Sequence, residues 1–200
     1  MSILRNTPTS PLPEFEYAID VAVIGAGACG LTAALAARDA GADVLVFERD
    51  KRPWGSTSMS LGAVCGVGSK EQQRHGIDDS AAAFVADVMA KTEQRADVRL
   101  ARLIGERSGG VLDWLNETHQ VPLLLDAKWT GLGHSSRRLH IPPGRNGEEL
   151  LALLLNACAR AGAEVVTEAT VTALYADEDN RVVGLRVERP GGVIENIGCG

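Results

Sequence analysis

Short apolar runs and one strongly helical segment follow each other near the start of the chain. Ala18–Ile24 (AIDVAVI) and Val44–Glu48 (VLVFE) are each typical of a strand that is buried on both faces. Ala28–Ala40 lies between them, is rich in good helix formers and stops at Gly41. A strand, a helix and a second strand within about 30 residues predict a βαβ unit, because parallel strands need a crossover of this kind.

Three later segments have the patterns of helices. They start at Asp79 or Ser80 and run to about Lys91, then cover Asp97–Glu117, and then Gly147–Ala161 before Gly162. Gly109 and Gly110 fall inside the second of these helices and predict a break or a bend there.

The last forty residues read as strands separated by turn residues. The predicted strands are Glu164–Val166, Thr170–Ala176, Arg181–Glu188 and Val193–Ile197. The last three predict an antiparallel meander. Residues 1–17 contain Pro8, Pro11 and Pro13, which oppose regular structure and predict a flexible or loosely docked N-terminal arm. The predicted fold class is α/β: a parallel sheet with flanking helices and a three-stranded antiparallel β-meander, in one domain from residue 18 to residue 200.

Composition narrows the class of protein. The chain has 200 residues, 45% of them hydrophobic, and a net charge of −6. It therefore lacks the excess of basic residues that is typical of nucleic-acid-binding proteins. No run approaches the ~18 apolar residues of a membrane span, and the N-terminus is not a signal peptide. The four cysteines form no CxxC motif and are typical of a reducing compartment. We therefore expect a cytoplasmic protein without a membrane span.

The central motif is VIGAGACG, residues 23–30. Gly25 allows a tight turn out of the strand, Gly27 lets the backbone approach a pyrophosphate, and Gly30 lets the helix pack closely on the strand. The helix N-terminus offers N–H groups and partial positive charge to phosphates. Because the motif follows an apolar strand and opens an Ala-rich helix, it predicts a dinucleotide site, to which Ala26, Ala28 and Cys29 also belong.

A matching acid follows at the end of the second strand. Glu48 can accept hydrogen bonds from the two hydroxyls of an adenosine ribose, and it would repel a 2′-phosphate, which argues against NADP. Arg49, Lys51 and Arg52 come next, and either flank the ribose and phosphates or are solvated loop charges. Gly55–Ala63 offers hydroxyls and unhindered amides to a cofactor, or is a packing loop of small residues.

A second candidate region is basic. Residues 131–147 contain His134, Arg137, Arg138, His140 and Arg145, which either face an anionic substrate or cofactor or form a solvated basic strand. The two histidines have no neighbouring carboxylate or cysteine ligand, so no metal site is predicted.

The sequence resembles the fumarate reductase/succinate dehydrogenase flavoprotein family, which includes L-aspartate oxidase and 3-ketosteroid dehydrogenases. The resemblance is carried by DVAVIGAGACGLTAALAARDAGADVLVFERD, GSTSMSLGAV, the stretch from GHSSRRLH to AGAEVV, and TVTALYADEDNRVVGLRV. It covers residues 18–200. It implies a Rossmann-like FAD-binding domain of which this chain is the N-terminal, incomplete portion, with the capping domain and the substrate-binding residues beyond residue 200.

The resemblance also implies the cofactor contacts. Gly25, Gly27 and Gly30 would hold the FAD pyrophosphate, and Glu48 the ribose. A loop made of Gly55, Ser56, Thr57, Ser58, Leu61 and Gly62 would contact the phosphate, the ribityl chain and the flavin, and Val171 would bind adenine through its backbone. Trp54-Gly55 and Gly62-Ala63 stand where the family has glycine pairs. No histidine occupies the position of the covalent flavin bond, so FAD is expected to be non-covalent. No catalytic residue is implied.

Three functions remain open at this stage. The first is an FAD-dependent oxidoreductase that transfers hydride between flavin N5 and a small carboxylate or enone-type substrate, with an unidentified electron donor or acceptor. The second is an NAD-dependent dehydrogenase, although the Ser-rich loop and the meander replace the second βαβ half expected of one. The third is a truncated, non-catalytic nucleotide-binding module. We expect negligible turnover from these 200 residues alone.

Overall fold

The computed structural model describes residues 1–7 and 11–200. The described strands, in chain order, are β1 (Ser2–Arg5), β2 (Tyr17–Ile19), β3 (Val21–Ile24), β4 (Val44–Phe47), β5 (Val64–Cys65), β6 (Leu124–Leu125), β7 (Leu139–Ile141), β8 (Glu164–Val166), β9 (Thr170–Ala176), β10 (Val182–Arg189) and β11 (Val193–Cys199). The helices are α1 (Ala28–Asp39), α2 (Lys70–Arg74), α3 (Ala81–Lys91), α4 (Val98–Glu117) and α5 (Gly147–Ala161). The packing divides the chain into two compact units, one of residues 1–56 and 154–200 and the other of residues 57–153.

The first unit contains the predicted βαβ unit. Strands β3, β4 and β8 form a parallel sheet in the order β3-β4-β8, with Val23 opposite Val46 and Val46 opposite Val165. Helix α1 connects β3 to β4 and buries Leu31, Ala34 and Leu35, each 0% exposed. Small alanines on the same helix allow this close packing, since they leave little side chain between helix and sheet. The prediction of a parallel pair joined by a helix is confirmed.

The second sheet of this unit holds the meander. Its order is β1-β9-β10-β11-β2, and β9, β10 and β11 are antiparallel neighbours, as predicted. Buried Phe47, Ala169, Leu185, Val187 and Ile197 form one hydrophobic core cluster. The cluster joins the end of β4 to the meander, so the two sheets share a core within the first unit.

Two expectations for the start of the chain were wrong. Ala18–Ile24 is not one strand, because the chain changes sheets at Asp20: β2 pairs with β11, whereas β3 pairs with β4. Ser2–Arg5 is also not irregular, since it forms β1 and pairs in parallel with β9. The edge of a sheet has free main-chain donors and acceptors, and any extended segment can pair with them. Pairing of this kind needs no particular side chains, so the sequence of Ser2–Arg5 did not indicate a strand. Pro8 lies outside the described residues.

The second unit is built from α2, α3, α4 and a small sheet in the order β5-β7-β6. The capping residues agree with the sequence: the Ser80 side chain accepts from Ala83 N, and Asp97 accepts from the first turn of α4. The predicted break at Gly109 and Gly110 is absent, because α4 runs unbroken from Val98 to Glu117, and the alternative of a bend stays a prediction. Gly109 has a packing role instead, since a Cβ there would lie 2.1 Å from the Val67 carbonyl oxygen.

None of the helices in the described part of the chain is long and apolar enough to cross a membrane.

Candidate functional site

The glycine loop lies between β3 and α1 in the first unit. Gly25 leaves the strand with φ +95°, a conformation that favours glycine, and its N–H donates to the Phe47 carbonyl at 2.8 Å. Gly27 is the N-cap of α1 and provides no side-chain cap, while its carbonyl accepts the first helical hydrogen bond from Leu31 N at 3.0 Å. A Cβ at Gly25 would meet no atom within 4 Å. The backbone at Gly25 therefore faces open space.

Gly30 has the packing role that the sequence predicted. A Cβ at this position would lie 2.0 Å from the Gly25 carbonyl oxygen and 3.1 Å from Val23 Cγ1. Among the other loop residues, Ala26 is buried, Ala28 is partly buried and Cys29 is exposed. The helix can start directly above the strand only because position 30 lacks a side chain.

Glu48 is joined to this loop by its carboxylate. Its side chain is buried, with the residue only 7% exposed, and Oε2 accepts a hydrogen bond from Ala26 N at 2.9 Å. Oε1 accepts from Asp50 N at 3.0 Å. A carboxylate oxygen has two acceptor positions, so each oxygen keeps one for a ligand hydroxyl. The acid and the glycine loop, 22 positions apart in sequence, thus form one site.

The residues just before β9 are hydrogen-bonded to Glu48 and Asp50. Ala169 N donates to the Glu48 carbonyl at 2.8 Å, and Glu168 N donates to the Asp50 carbonyl at 3.1 Å. Val171 lies two residues further along the chain, pairs with Val187 and packs its side chain on the core cluster. The structure therefore brings the glycine loop, Glu48 and the strand of Val171 together within the first unit.

Three more predicted residues lie at the end of the first unit's N-terminal segment. Arg49 is exposed and lies 3.7 Å from Asp50, Gly55 is partly buried, and Ser56 is exposed. These residues extend the loop that begins after Glu48.

The rest of the Ser-rich loop belongs to the second unit, at the start of α5. Thr57 is partly buried, Ser58 is buried and Leu61 is exposed. Gly62 has φ +70°, and a Cβ there would lie 2.6 Å from the Asn146 carbonyl oxygen. A second close approach occurs at Gly147, where a Cβ would lie 1.9 Å from the Thr57 carbonyl oxygen.

Two residues that fix this loop were missed by the sequence reasoning. The Ser60 hydroxyl donates to the Thr57 carbonyl at 2.7 Å and accepts from Gly62 N at 3.0 Å. Gly147 N donates to the Ser60 carbonyl at 2.9 Å. The one sequence signal for this contact was Gly147 itself, because glycine is a poor helix former and yet stands at the first position of α5.

Within the basic segment of residues 131–147, Arg138 and His140 are buried and bound inside their own unit, whereas Arg137 and Arg145 are exposed. Arg138 is 0% exposed, and its Nε and Nη2 donate to the two carboxylate oxygens of Asp79 at 2.7 and 2.8 Å. Its Nη1 donates to Asp87. Arg145 pairs with buried Asp126 at 2.7 Å, which lowers the pKa of that carboxyl. These cations are engaged by acids of the same unit.

His140 is part of the same polar interior. Nδ1 lies 2.8 Å from the Arg138 carbonyl oxygen, so it carries the proton and donates, and Nε2 lies 2.7 Å from the Ser69 hydroxyl. Burial lowers the pKa of His140, because the charged imidazolium loses its hydration. Among the described residues, no group of three or more histidine, cysteine or acidic side chains is placed to hold a metal ion.

Comparison with known proteins places the chain among flavoproteins. A family model described as "FAD binding domain" matches residues 20–197. A relative named "Probable fumarate reductase Ifc3", from Shewanella frigidimarina (strain NCIMB 400), is 32% identical over 166 residues, which are 82% of this chain and 28% of that protein.

Two solved structures have the same fold. The open conformation of a flavocytochrome c3 fumarate reductase matches 92% of this chain and 33% of its own, with a TM-score of 0.82 at 30% identity. A 3-ketosteroid-delta4-(5alpha)-dehydrogenase from Rhodococcus jostii RHA1, in complex with 4-androstene-3,17-dione, matches 98% and 47%, with a TM-score of 0.80 at 26% identity. The chain thus spans only about a third to a half of these proteins. The predicted fold class, a Rossmann-like FAD-binding domain, is confirmed.

Proposed function

Because this chain belongs to the FAD binding domain family, with FAD as its cofactor, we propose that the protein acts as an FAD-dependent oxidoreductase. When bound, FAD supplies hydride transfer between its N5 atom and a substrate carbon. The residues of this chain bind and orient the cofactor, and we assign no catalytic residue to them.

One observation carries the proposal: the carboxylate of Glu48 accepts a hydrogen bond from Ala26, inside the glycine loop. This bond holds the acid beside the backbone that a pyrophosphate must approach. Each carboxylate oxygen keeps an acceptor position for a ribose hydroxyl, whereas a 2′-phosphate would be repelled by the buried charge. The residues therefore fit FAD and disfavour NADP.

The cofactor contacts follow from this arrangement. Gly25, Ala26, Gly27, Ala28, Cys29 and Gly30 hold the pyrophosphate at the α1 N-terminus, where the helix dipole favours negative charge. Glu48 binds the adenosine ribose with Arg49 beside it, and Val171 binds adenine through its backbone. A further set serves the phosphate, the ribityl chain and the flavin: Gly55, Ser56, Thr57, Ser58, Leu61 and Gly62. Support for this set comes from its glycines and from the Ser60 bonds that fix the loop.

The substrate and the partner are proposed from the relatives. The names fumarate reductase and 3-ketosteroid dehydrogenase favour a small carboxylate or enone-type substrate and an electron donor or acceptor as partner. We propose that residues 18–200 are the N-terminal portion of the FAD-binding domain and that FAD is held non-covalently. A cytoplasmic location stays a prediction from the sequence.

An absorbance spectrum of the purified chain, loaded with FAD and freed of excess by gel filtration, tests the proposal. We expect a flavin band that acid or heat denaturation releases into solution, as non-covalent binding requires. Glu48→Gln should weaken FAD binding by about tenfold, through loss of a charge-assisted hydrogen bond. Glu178→Gln, at an exposed position in the turn before β10, is the matched control. A colourless protein whose melting temperature rises only with NAD would overturn the proposal.

A further inference from the structure

Two side chains of the loop that follows Glu48 have not been given a function above. Arg52 and Trp54 lie in the loop that starts directly after Glu48 and stays within the first unit as far as Ser56. The guanidinium carbon of Arg52 lies 4.7 Å from the centroid of the Trp54 ring, which is a cation–π contact. Trp54 remains 43% exposed, and Arg52 is exposed as well.

The charge of the cofactor explains why such a pair is useful here. The FAD pyrophosphate is doubly anionic, yet residues 25–30 carry no charged side chain and Glu48 adds a negative charge. The N-terminus of α1 offers only about half an elementary charge. The loop after Glu48 contains the missing cations, since Arg49, Lys51 and Arg52 outnumber its one acid, Asp50.

The contact that orders Arg52 differs from the contacts of Arg38 and Arg49 in the same unit. Arg38 pairs with Asp43 at 2.9 Å, and Arg49 lies 3.7 Å from Asp50. Within residues 1–7 and 11–200 no ion pair involves Arg52, and the indole of Trp54 orders it instead. A contact with an aromatic face orders a guanidinium without neutralising it, so the full charge stays available to an anion.

The start of the loop is anchored at the ribose-binding acid. Asp50 N donates to Glu48 Oε1 at 3.0 Å, and the Asp50 carbonyl accepts from Glu168 N at 3.1 Å, just before β9. The loop that carries Arg52 and Trp54 therefore begins where the adenosine half of the cofactor is proposed to bind.

We propose that Arg52 and Trp54 form a cofactor-binding pair, in which Arg52 is the cationic partner of the pyrophosphate and Trp54 stacks on the adenine ring. The inference rests on the proposed cofactor site. It predicts that the pair recognises the ADP portion of FAD, because neither contact involves the flavin ring.

Titration of the whole 200-residue chain with FAD and, separately, with ADP tests this. Trp54→Ala should weaken binding of both ligands by about tenfold, as loss of one base–aromatic stack does. Arg52→Met should weaken binding about fivefold and reduce the loss of affinity that added salt causes, since one ionic contact is gone. ADP does not absorb at the wavelengths where tryptophan emits, so a change in emission on adding ADP reports contact with an indole. ADP should therefore change the emission of the wild-type chain and leave the emission of Trp54→Ala unchanged.

Matched controls separate binding from general effects. Trp129→Ala removes a tryptophan that is 44% exposed in the second unit, and Arg95→Met removes an arginine whose side chain is 78% exposed. Both controls should bind FAD within about twofold of wild type, a range inside the usual effect of surface substitutions. Circular dichroism and thermal melts should be unchanged in all four variants.

Three outcomes would count against the inference. Equal FAD affinity of the Arg52 and Trp54 variants and the controls overturns the pair and leaves the FAD site intact. Weaker FAD binding with unchanged ADP binding overturns the assignment to the adenosine half. Failure of the wild-type chain to bind either ligand overturns the proposed cofactor site and the pair together.

Discussion

The glycine loop of residues 25–30 and the basic segment of residues 131–147 differ in where their polar groups are directed. The glycine loop has no charged side chain, but its backbone faces open space at Gly25 and Glu48 is bound to it. The basic segment contains three arginines and two histidines, yet Arg138 and His140 are fully buried and bound to groups of their own unit. A dense cluster of charges is therefore weaker evidence of a ligand site than a backbone that no side chain covers.

The largest expected effect concerns Arg138. Arg138→Met should lower the free energy of unfolding by about 3–5 kcal/mol, because it leaves the buried carboxylate of Asp79 and the partly buried carboxylate of Asp87 without their cation. Urea unfolding measures the loss. Arg137→Met is the control in the same segment, since that residue is exposed, and it should change the free energy of unfolding by at most about 0.5 kcal/mol. Similar losses of unfolding free energy at both positions would show that the ion pairs of Arg138 with Asp79 and Asp87 contribute no special stability to this segment.

The next effect concerns the glycine loop. Gly30→Ala should destabilise the chain by about 1–3 kcal/mol and weaken FAD binding, because the new Cβ would lie 2.0 Å from the backbone oxygen of Gly25. Thermal unfolding and FAD titration measure the two losses. Gly110→Ala is the matched control, since its Cβ meets no atom within 4 Å in the middle of α4, and it should stabilise the chain by about 0.5–1 kcal/mol. Wild-type FAD affinity in Gly30→Ala would show that the loop geometry does not position the cofactor.

The smallest effect is a pH dependence in the basic segment. Burial lowers the pKa of folded His140 below the ordinary 6.5, so the unfolded chain binds the proton more tightly. The contribution of neutral His140 to the free energy of unfolding is fully present above pH 6.5. Below pH 6.5 this contribution falls by at most about 1.4 kcal/mol per pH unit, and it stops falling once the pH is below the lowered pKa. His140→Gln should remove this decline near pH 6, whereas His75→Gln, at an exposed site, should keep it. Urea unfolding between pH 7.5 and pH 5.5 measures both, and an unchanged slope in His140→Gln would contradict the assignment.

Much of the fold followed from local patterns. The βαβ unit, the helix starts at Ser80 and Asp97 and the meander were all predicted, because apolar periodicity, capping residues and turn residues act over a few positions. The short strands β5, β6 and β7 and the edge strand β1 were not predicted. Each has two to four residues and is defined by a partner distant in sequence.

The candidate site shows the same division. The glycine spacing and the position of Glu48 identified a dinucleotide site, since each residue has a role that its chemistry alone requires. The contacts of Gly147 with Thr57 and Ser60 escaped notice because they join residues that are more than eighty positions apart. Arg138 and Asp79 are likewise distant in sequence, so the cations of residues 131–147 could be assigned no partner beforehand.

The sequence by itself determined the glycine turn, the matching acid, the βαβ unit and the meander, because backbone conformation and apolar periodicity are local properties. Only the tertiary structure decided that Gly109 is a packing position rather than a break, and that Arg138 is buried on two acids. It also decided that Glu48 binds the loop through Ala26. The physical reason is that burial and ion pairing depend on contacts between residues that are distant in sequence. In this chain those contacts determine which charged side chains remain available to a ligand.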